Sequence, residues 1–395
     1  MAFPESIPSS EHNHNSSTTP EADVRSSLAN DMARGKTLTR RQMLKGGAGL
    51  LAAGLVMPKS LFAADAGNAP ATVGVLGAAH VHFERYARLL GDEAGIAVKA
   101  VYDDNPRLAR QAEELTAGAR AGSVREILDR DDIDAVVILS ENIKHEAYAV
   151  AAAEAGKHLF VEKPLDIRGD RADRIAAAVK DAGVLFQTGY FMRSMNQLHF
   201  LRGAFREGKF GRATRMRVQY AHGGSLGTMW DGDHAWMVDL DQVGRGALGD
   251  LGIHCLNLIL WMTEGDALQE ISAQVGNATD RFGGIDEYGE ALLRFESGLV
   301  VTMGAGYVDR NDVNRIEISG TEGHAYMNRG RLFLNCPAIT GTDREQYWSD
   351  FPDALEHPFS LFLQALQGHE VPLVSVEEAA RDVRVMDRIY AAAEA

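Results

Sequence analysis

His158-Leu159-Phe160-Val161-Glu162-Lys163-Pro164 is a short apolar run that ends in a carboxylate, an amine and a proline. The run reads as a buried strand. A lysine at the carboxyl end of a parallel strand faces the crevice where open α/β sheets bind ligands. The proline fixes its own φ, restrains the residue before it and permits a cis bond at modest cost, so Lys163 is expected to be held in place. Upstream, Ala71–Leu76, Ile96–Tyr102 and Ala135–Leu139 read as further strands, separated by helical stretches at Phe83–Leu90 and Ile143–Ala155. Asn105-Pro106 and Ser123-Val124-Arg125-Glu126 are helix starts, and Gly156 suits a helix stop. A helix near Asp170–Ala182 and a strand at Val184–Thr188 follow. This alternation predicts βαβ units and a doubly wound parallel sheet over residues 67–189.

Beyond Gly189 the pattern changes. Ala213–Ala221, Glu270–Gly276, Tyr288–Phe295 and Leu299–Gly306 are strand-like, and Glu296-Ser297-Gly298 marks a hairpin. One strong helix is expected from Gly249 to Met262. Residues 190–358 are therefore expected to form an α+β unit, a mostly antiparallel open sheet with helices on one face. A C-terminal helical segment, 359–395, is expected to pack back on the first sheet.

The 395 residues carry a net charge of −15, with 45% hydrophobic and 24% charged content. That composition is ordinary for a globular protein and argues against a nucleic-acid surface or a polybasic membrane anchor. Residues 1–66 read as a leader. A Ser/Asn/Pro/His-rich stretch precedes Thr39-Arg40-Arg41-Gln42-Met43-Leu44-Lys45, a short Gly-rich apolar run, and small residues around Ala63-Ala64-Asp65-Ala66. The paired arginines resemble a twin-arginine signal, and the apolar run is too short to span a bilayer. A periplasmic location is expected, and with it a tightly bound cofactor, since the periplasm offers no free nicotinamide pool. His12 and His14 lie in this leader, and no metal site is expected. Cys255 and Cys336 either pair or stay free, with a buried free thiol the favoured reading of Cys255.

The loop after the first strand, Gly77-Ala78-Ala79-His80-Val81-His82, keeps only the first glycine of the dinucleotide fingerprint, with Ala79 and His82 at the second and third positions. Asp103 ends the second strand, where a carboxylate bonds both ribose hydroxyls and repels a 2′-phosphate. NAD is therefore favoured over NADP, although Asp103-Asp104-Asn105 also reads as a capping turn. Ser140, Asn142 and His145 follow the next strand at the same edge, and His145 reads equally as a surface residue. Asp250 and His254 are spaced by four on the expected helix, so one face carries both, as a general base and its orienting carboxylate require. A helix cap and a core histidine are the plainer reading. Trp230, Asp233, His234 and Trp236 precede that helix and suit a sugar face.

Together, the leader, the loop at Gly77, Asp103, Glu162-Lys163-Pro164, Gly189-Tyr190-Phe191-Met192-Arg193 and Gly246-Ala247-Leu248-Gly249-Asp250-Leu251-Gly252-Ile253-His254 resemble the Gfo/Idh/MocA oxidoreductases over roughly residues 71–330. The resemblance implies a Rossmann domain binding NAD(P) and a second domain whose sheet makes homo-oligomers. It also implies a Lys163/Asp250/His254 catalytic set. Lys163 would bond the substrate hydroxyl, its pKa depressed beside the nicotinamide, and His254 would act as base. Asp250 would orient His254 or the substrate, and Glu162 would hold Lys163 or the cofactor amide. Arg193, His234 and Trp236 are the expected substrate contacts. Asn257 departs from the further Asp of many relatives. The expected reaction is hydride transfer between a nicotinamide and a secondary alcohol carbon of a sugar, sugar acid or cyclitol. Two other readings stay open: an NAD-dependent glycosidase working by transient oxidation and elimination, and a non-catalytic binding protein on the same fold.

Overall fold

The computed structural model describes residues 70–342 and 346–394. The leader, including Arg40-Arg41, His12 and His14, lies outside the described residues. The first sheet is built from β1 (Ala71–Leu76), β2 (Ile96–Tyr102), β3 (Ala119–Arg120), β4 (Ala135–Ile138), β5 (His158–Val161) and β6 (Phe186–Thr188). Between them run α1 (Phe83–Asp92), α2 (Pro106–Thr116), α3 (Val124–Leu128), α4 (His145–Glu154) and α5 (Gly169–Ala182). All pairings are parallel, in the order β3-β2-β1-β4-β5-β6. Every residue of β4 is buried, as its unbroken apolar run requires when helices cover both faces. Strand order reverses between β1 and β4. The loops at Gly77 and Ser140 therefore flank the crevice where such sheets take ligands.

The second sheet follows α6 (Asn196–Arg206). Its strands are β7 (Ala213–Ala221), β8 (Leu268–Gly276), β9 (Tyr288–Phe295), β10 (Val300–Gly306), β11 (Val313–Gly320), β12 (His324–Asn328), β13 (Arg331–Asn335) and β14 (Tyr347–Trp348). Their order is β14-β13-β12-β11-β7-β10-β9-β8, antiparallel except for β7 beside β10. Along β9 burial alternates strictly, with Gly289, Ala291, Leu293 and Phe295 facing inward.

The expected single helix is two: α7 (Ala247–Asp250) and α8 (Gly252–Met262), parted at Leu251. Asp286 draws the first turn toward itself. Its carboxylate accepts from the N–H groups of Gly246 at 3.0 Å and Leu248 at 2.9 Å, and its carbonyl from Ala247. A Cβ on residue 246 would meet the Asp286 carbonyl oxygen at 1.9 Å, so only glycine fits. The chain re-enters the helix with a tighter bond from His254 N–H to the Leu251 carbonyl. Gly252 to Leu260 are then buried on all sides, which marks α8 as a core helix.

The chain closes with α9 (Pro358–Leu366) and α10 (Val376–Ala393), and α10 lies along α5 of the first sheet. Gly169 N–H donates to Asp387 at 2.8 Å, and Arg384 pairs with Asp173. Cys255 and Cys336 are both buried and free, so they do not pair. Among the described residues no helix is long and apolar enough to cross a membrane.

Candidate active site

The cofactor edge begins at Gly77, whose φ of +88° and contact with the Ser140 backbone both exclude a side chain. Asp103 closes β2. One carboxylate oxygen accepts from Ala78 N–H at 2.7 Å and the other from Asn105 N–H at 2.8 Å. Each oxygen keeps a lone pair for a ribose hydroxyl. Burial pushes the Asp103 carboxyl up to about 6, with those two N–H groups opposing the shift. The neighbouring Asp104 is bound by Lys144 Nζ at 2.8 Å, and Lys144 also pairs with Glu141.

Asn142 donates to the Val243 carbonyl at 3.1 Å, while its Oδ1 is buried without a partner. His145 is fully buried, with Nδ1 3.0 Å from the Pro164 carbonyl oxygen and Nε2 unpaired. Burial brings its pKa down to about 4, so it is a neutral support beneath the Lys163-Pro164 turn, where the peptide bond is cis. Unpaired buried polar atoms at a strand-end crevice, with Gly77 and Asp103 placed as they are, fit a dinucleotide.

Lys163, just past β5 of the first sheet, meets Asp250 of α7, the helix against β9 and β10 of the second. Lys163 Nζ pairs with Asp250 Oδ1, and Tyr307 Oη donates to Oδ2 at 2.7 Å. Each oxygen of Asp250 thus has a partner and neither bonds His254, which corrects one of the two roles expected of Asp250, the orienting of His254. The depression expected of the lysine needs a positive nicotinamide beside it; the protein's own groups act the other way. Burial opposes its charge, yet Asp250 and Glu162 outweigh burial and hold the Lys163 pKa above the ordinary lysine value. Although burial opposes its ionisation, Lys163, with Tyr307, holds Asp250 well below the usual carboxylate range. His254 is 3% exposed, and burial, reinforced by Lys163, drives its pKa well below the usual imidazole value. Its Nδ1 has no partner, and Phe191 packs edge-on at 4.8 Å. The cluster therefore offers a charged donor, Lys163, and a neutral acceptor, His254.

Glu162 holds neither Lys163 nor a free place in the crevice. Its Oε1 lies 3.1 Å from His82 Nδ1, and its Oε2 accepts from Tyr86 Oη at 2.6 Å. Although burial opposes ionisation, the His82 bond holds Glu162 well below its usual pKa. The bulky residue at the third fingerprint position is thereby explained: His82 turns toward Glu162. Ala79 is buried and its carbonyl accepts from Trp236 Nε1 at 3.0 Å.

The last bond corrects the expected sugar contact of Trp236, which is buried and clasps the dinucleotide loop. Arg193 is corrected too. It donates to Asn257 at 2.9 Å and pairs with Glu378 at 3.0 Å, joining α8 to α10, with its guanidinium 5.5 Å from the Trp261 ring centre. His234 is half-buried with Nδ1 unpaired, and it forms no hydrogen bond, ion pair or ring contact with Lys163, Asp250 or His254. Sequence reasoning passed over Tyr86, Tyr307 and Lys144. The only signal for them was a tyrosine one helical turn after His82, a tyrosine just past β10, and a lysine just before α4.

Residues 71–190 match the oxidoreductase family with an NAD-binding Rossmann fold, and residues 199–326 match the GFO/IDH/MocA C-terminal domain. The chain is 26% identical over 312 residues to 1,5-anhydro-D-fructose reductase of Ensifer adhaerens, covering 77% of this chain and 91% of the relative. It is 25% identical over 324 residues to myo-inositol 2-dehydrogenase of Thermotoga maritima, covering 78% and 91%. The fold superposes on levoglucosan dehydrogenase in complex with NADH and levoglucosan with a TM-score of 0.71, at 23% identity, over 82% of this chain and 97% of that one. With the parallel sheet and its crevice, the open second sheet and the matched segments in order, the chain belongs to the Gfo/Idh/MocA oxidoreductases.

Proposed function

We propose that the protein is an exported oxidoreductase that moves a hydride between a tightly held NAD and a secondary alcohol carbon of a sugar, sugar acid or cyclitol. The observation that carries this reading is the buried cluster in which Lys163, held charged by its ion pair with Asp250, acts electrostatically on a neutral His254. Oxidising a secondary alcohol removes a proton from oxygen and a hydride from carbon. NAD, when bound, supplies the hydride acceptor. The His254 imidazole, being neutral, takes the hydroxyl proton. The Lys163 ammonium donates to the same oxygen and stabilises its developing negative charge. Asp250, fixed by Tyr307, keeps that ammonium charged and in place. In the reverse direction His254 returns the proton. Relatives whose names include an anhydrofructose reductase and an inositol dehydrogenase support a polyhydroxylated substrate.

Asp103 and the adjacent Asp104 favour NAD over NADP, because two carboxylates repel a 2′-phosphate. Export to the periplasm rests on the Arg40-Arg41 leader alone. Homo-oligomers through the second sheet are supported by its open face, where Tyr288 and Leu292 stand exposed. Denaturing the purified protein and taking the ultraviolet spectrum and mass of what is released tests the cofactor. Release of NAD, together with sugar-dependent reduction of it, is the expected result. An empty protein that binds no dinucleotide in calorimetry refutes the reading, and fractionation of the native host tests export.

A further inference from the structure

We propose that His80, His82 and Glu162 form a binding site for a divalent transition-metal ion, zinc or cobalt in chemical class. Each residue presents one ligand atom, and the three atoms lie within 4.8 Å of one another. The set of two imidazoles and one carboxylate, with a fourth position open, suits zinc. The closest edge is already near the right length. His82 Nδ1 and Glu162 Oε1 are 3.1 Å apart, against about 3.3 Å between two ligands on a tetrahedral ion with bonds of about 2.0–2.1 Å. An ion there replaces the proton those two atoms now share. His80 completes the set from a ring 4.7 Å from that of His82, centre to centre. Its Nδ1 accepts from the His82 N–H at 3.2 Å.

The surroundings are those of a built site. Tyr86 Oη donates to the other oxygen of Glu162 at 2.6 Å, fixing the carboxylate as outer-shell donors do around metals. Glu162 and His80 are buried, whereas the His82 side chain is 41% exposed and gives solvent a way in. The site shares the dinucleotide loop and the neighbour of Lys163, but its test is independent of the proposed reaction, since metal binding is read without turnover.

The test is cobalt(II) titration of the purified full-length protein after treatment with a chelator, followed by the visible absorption of tetrahedral cobalt and by equilibrium dialysis. The expected result is a saturable absorption band and one equivalent more metal in the wild type than in His82→Asn or His80→Asn. Tyr86→Phe is expected to retain the band with affinity weakened about 10–100-fold. Zinc is expected to displace the band. Thermal unfolding of His82→Asn, whose side chain is half-exposed, checks that the fold survives. The chain carries 13 histidines in all, so the difference between variants is the readout. A wild type without the band, or the same band and stoichiometry in both histidine variants, overturns the proposal.

Discussion

Replacing Lys163 with methionine leaves a carboxylate stranded. Asp250 is 4% exposed, and without Lys163 its remaining side-chain hydrogen-bond partner among the described residues is Tyr307. Breaking one side of a buried ion pair costs about 3–5 kcal/mol. The pH dependence follows from the shifts. In the wild type Asp250 sits below its unfolded pKa and Lys163 above its own, so both stay charged from about pH 4 to about pH 10 and the pair adds no slope there. In Lys163→Met, burial without a cation raises the folded pKa of Asp250 above the unfolded value of about 3.9. The unfolded chain then gives up its proton first, and stability falls as pH rises. The loss grows by about 1.4 kcal/mol per pH unit, so the full 3–5 kcal/mol is reached near pH 6–7.5. Urea unfolding followed by tryptophan fluorescence from about pH 4.5 to about pH 8 measures it directly. Adding Asp250→Leu is expected to restore most of the loss while leaving the enzyme inactive. A Lys163→Met protein within about 1 kcal/mol of wild type at every pH refutes the pairing.

Three further outcomes test the same site. Tyr307→Phe removes one hydrogen bond to a charged group, about 1.5–3 kcal/mol, and is expected to lower kcat about 10- to 100-fold with KM little changed. In an Asp250→Asn background the same change is expected to add almost nothing, which a double-mutant cycle on kcat reads. His254→Asn is expected to lower kcat by about 10²–10⁴ with NADH affinity retained in a fluorescence titration; loss of NADH binding instead moves His254 out of the proton-accepting role. Asp103 offers the ribose its best acceptors when ionised, so NAD affinity is expected to fall as pH drops below about 6 and to lose that dependence in Asp103→Asn.

The first sheet was legible because its strands declare themselves. Ala135–Ile138 is apolar without interruption, and Asn105-Pro106 and Gly156 punctuate its neighbours with local chemistry. The strands from Val313 to Trp348 were not foreseen. Their alternation is mixed with arginine, asparagine and glutamate, and their burial depends on β7 and β12 as partners, which no local pattern reports. The split at Leu251 has the same origin: Asp286, distant in sequence, bends the helix start. Lys163, Asp250 and His254 were found one by one through strand-end and helix spacing. Which of them pair was misread, because spacing of four on a helix says that two side chains share a face, not that they bond.

That distinction governs how the site works. A carboxylate bound to His254 would raise the imidazole's basicity and keep it charged in the buried site. Bound instead by Lys163 and Tyr307, Asp250 leaves His254 to burial, which makes it neutral and able to accept a proton. The same ion pair ties the end of β5 to the end of α7, so the lysine from the first sheet is placed by a helix that packs on the second. A buried pair is weak evidence for net stability, since two apolar residues of equal volume often do as well. Its value here is in position and charge: Lys163 is presented as an ammonium beside a neutral base. On this argument the double variant Lys163→Met/Asp250→Leu separates the two roles, recovering the fold and not the reaction.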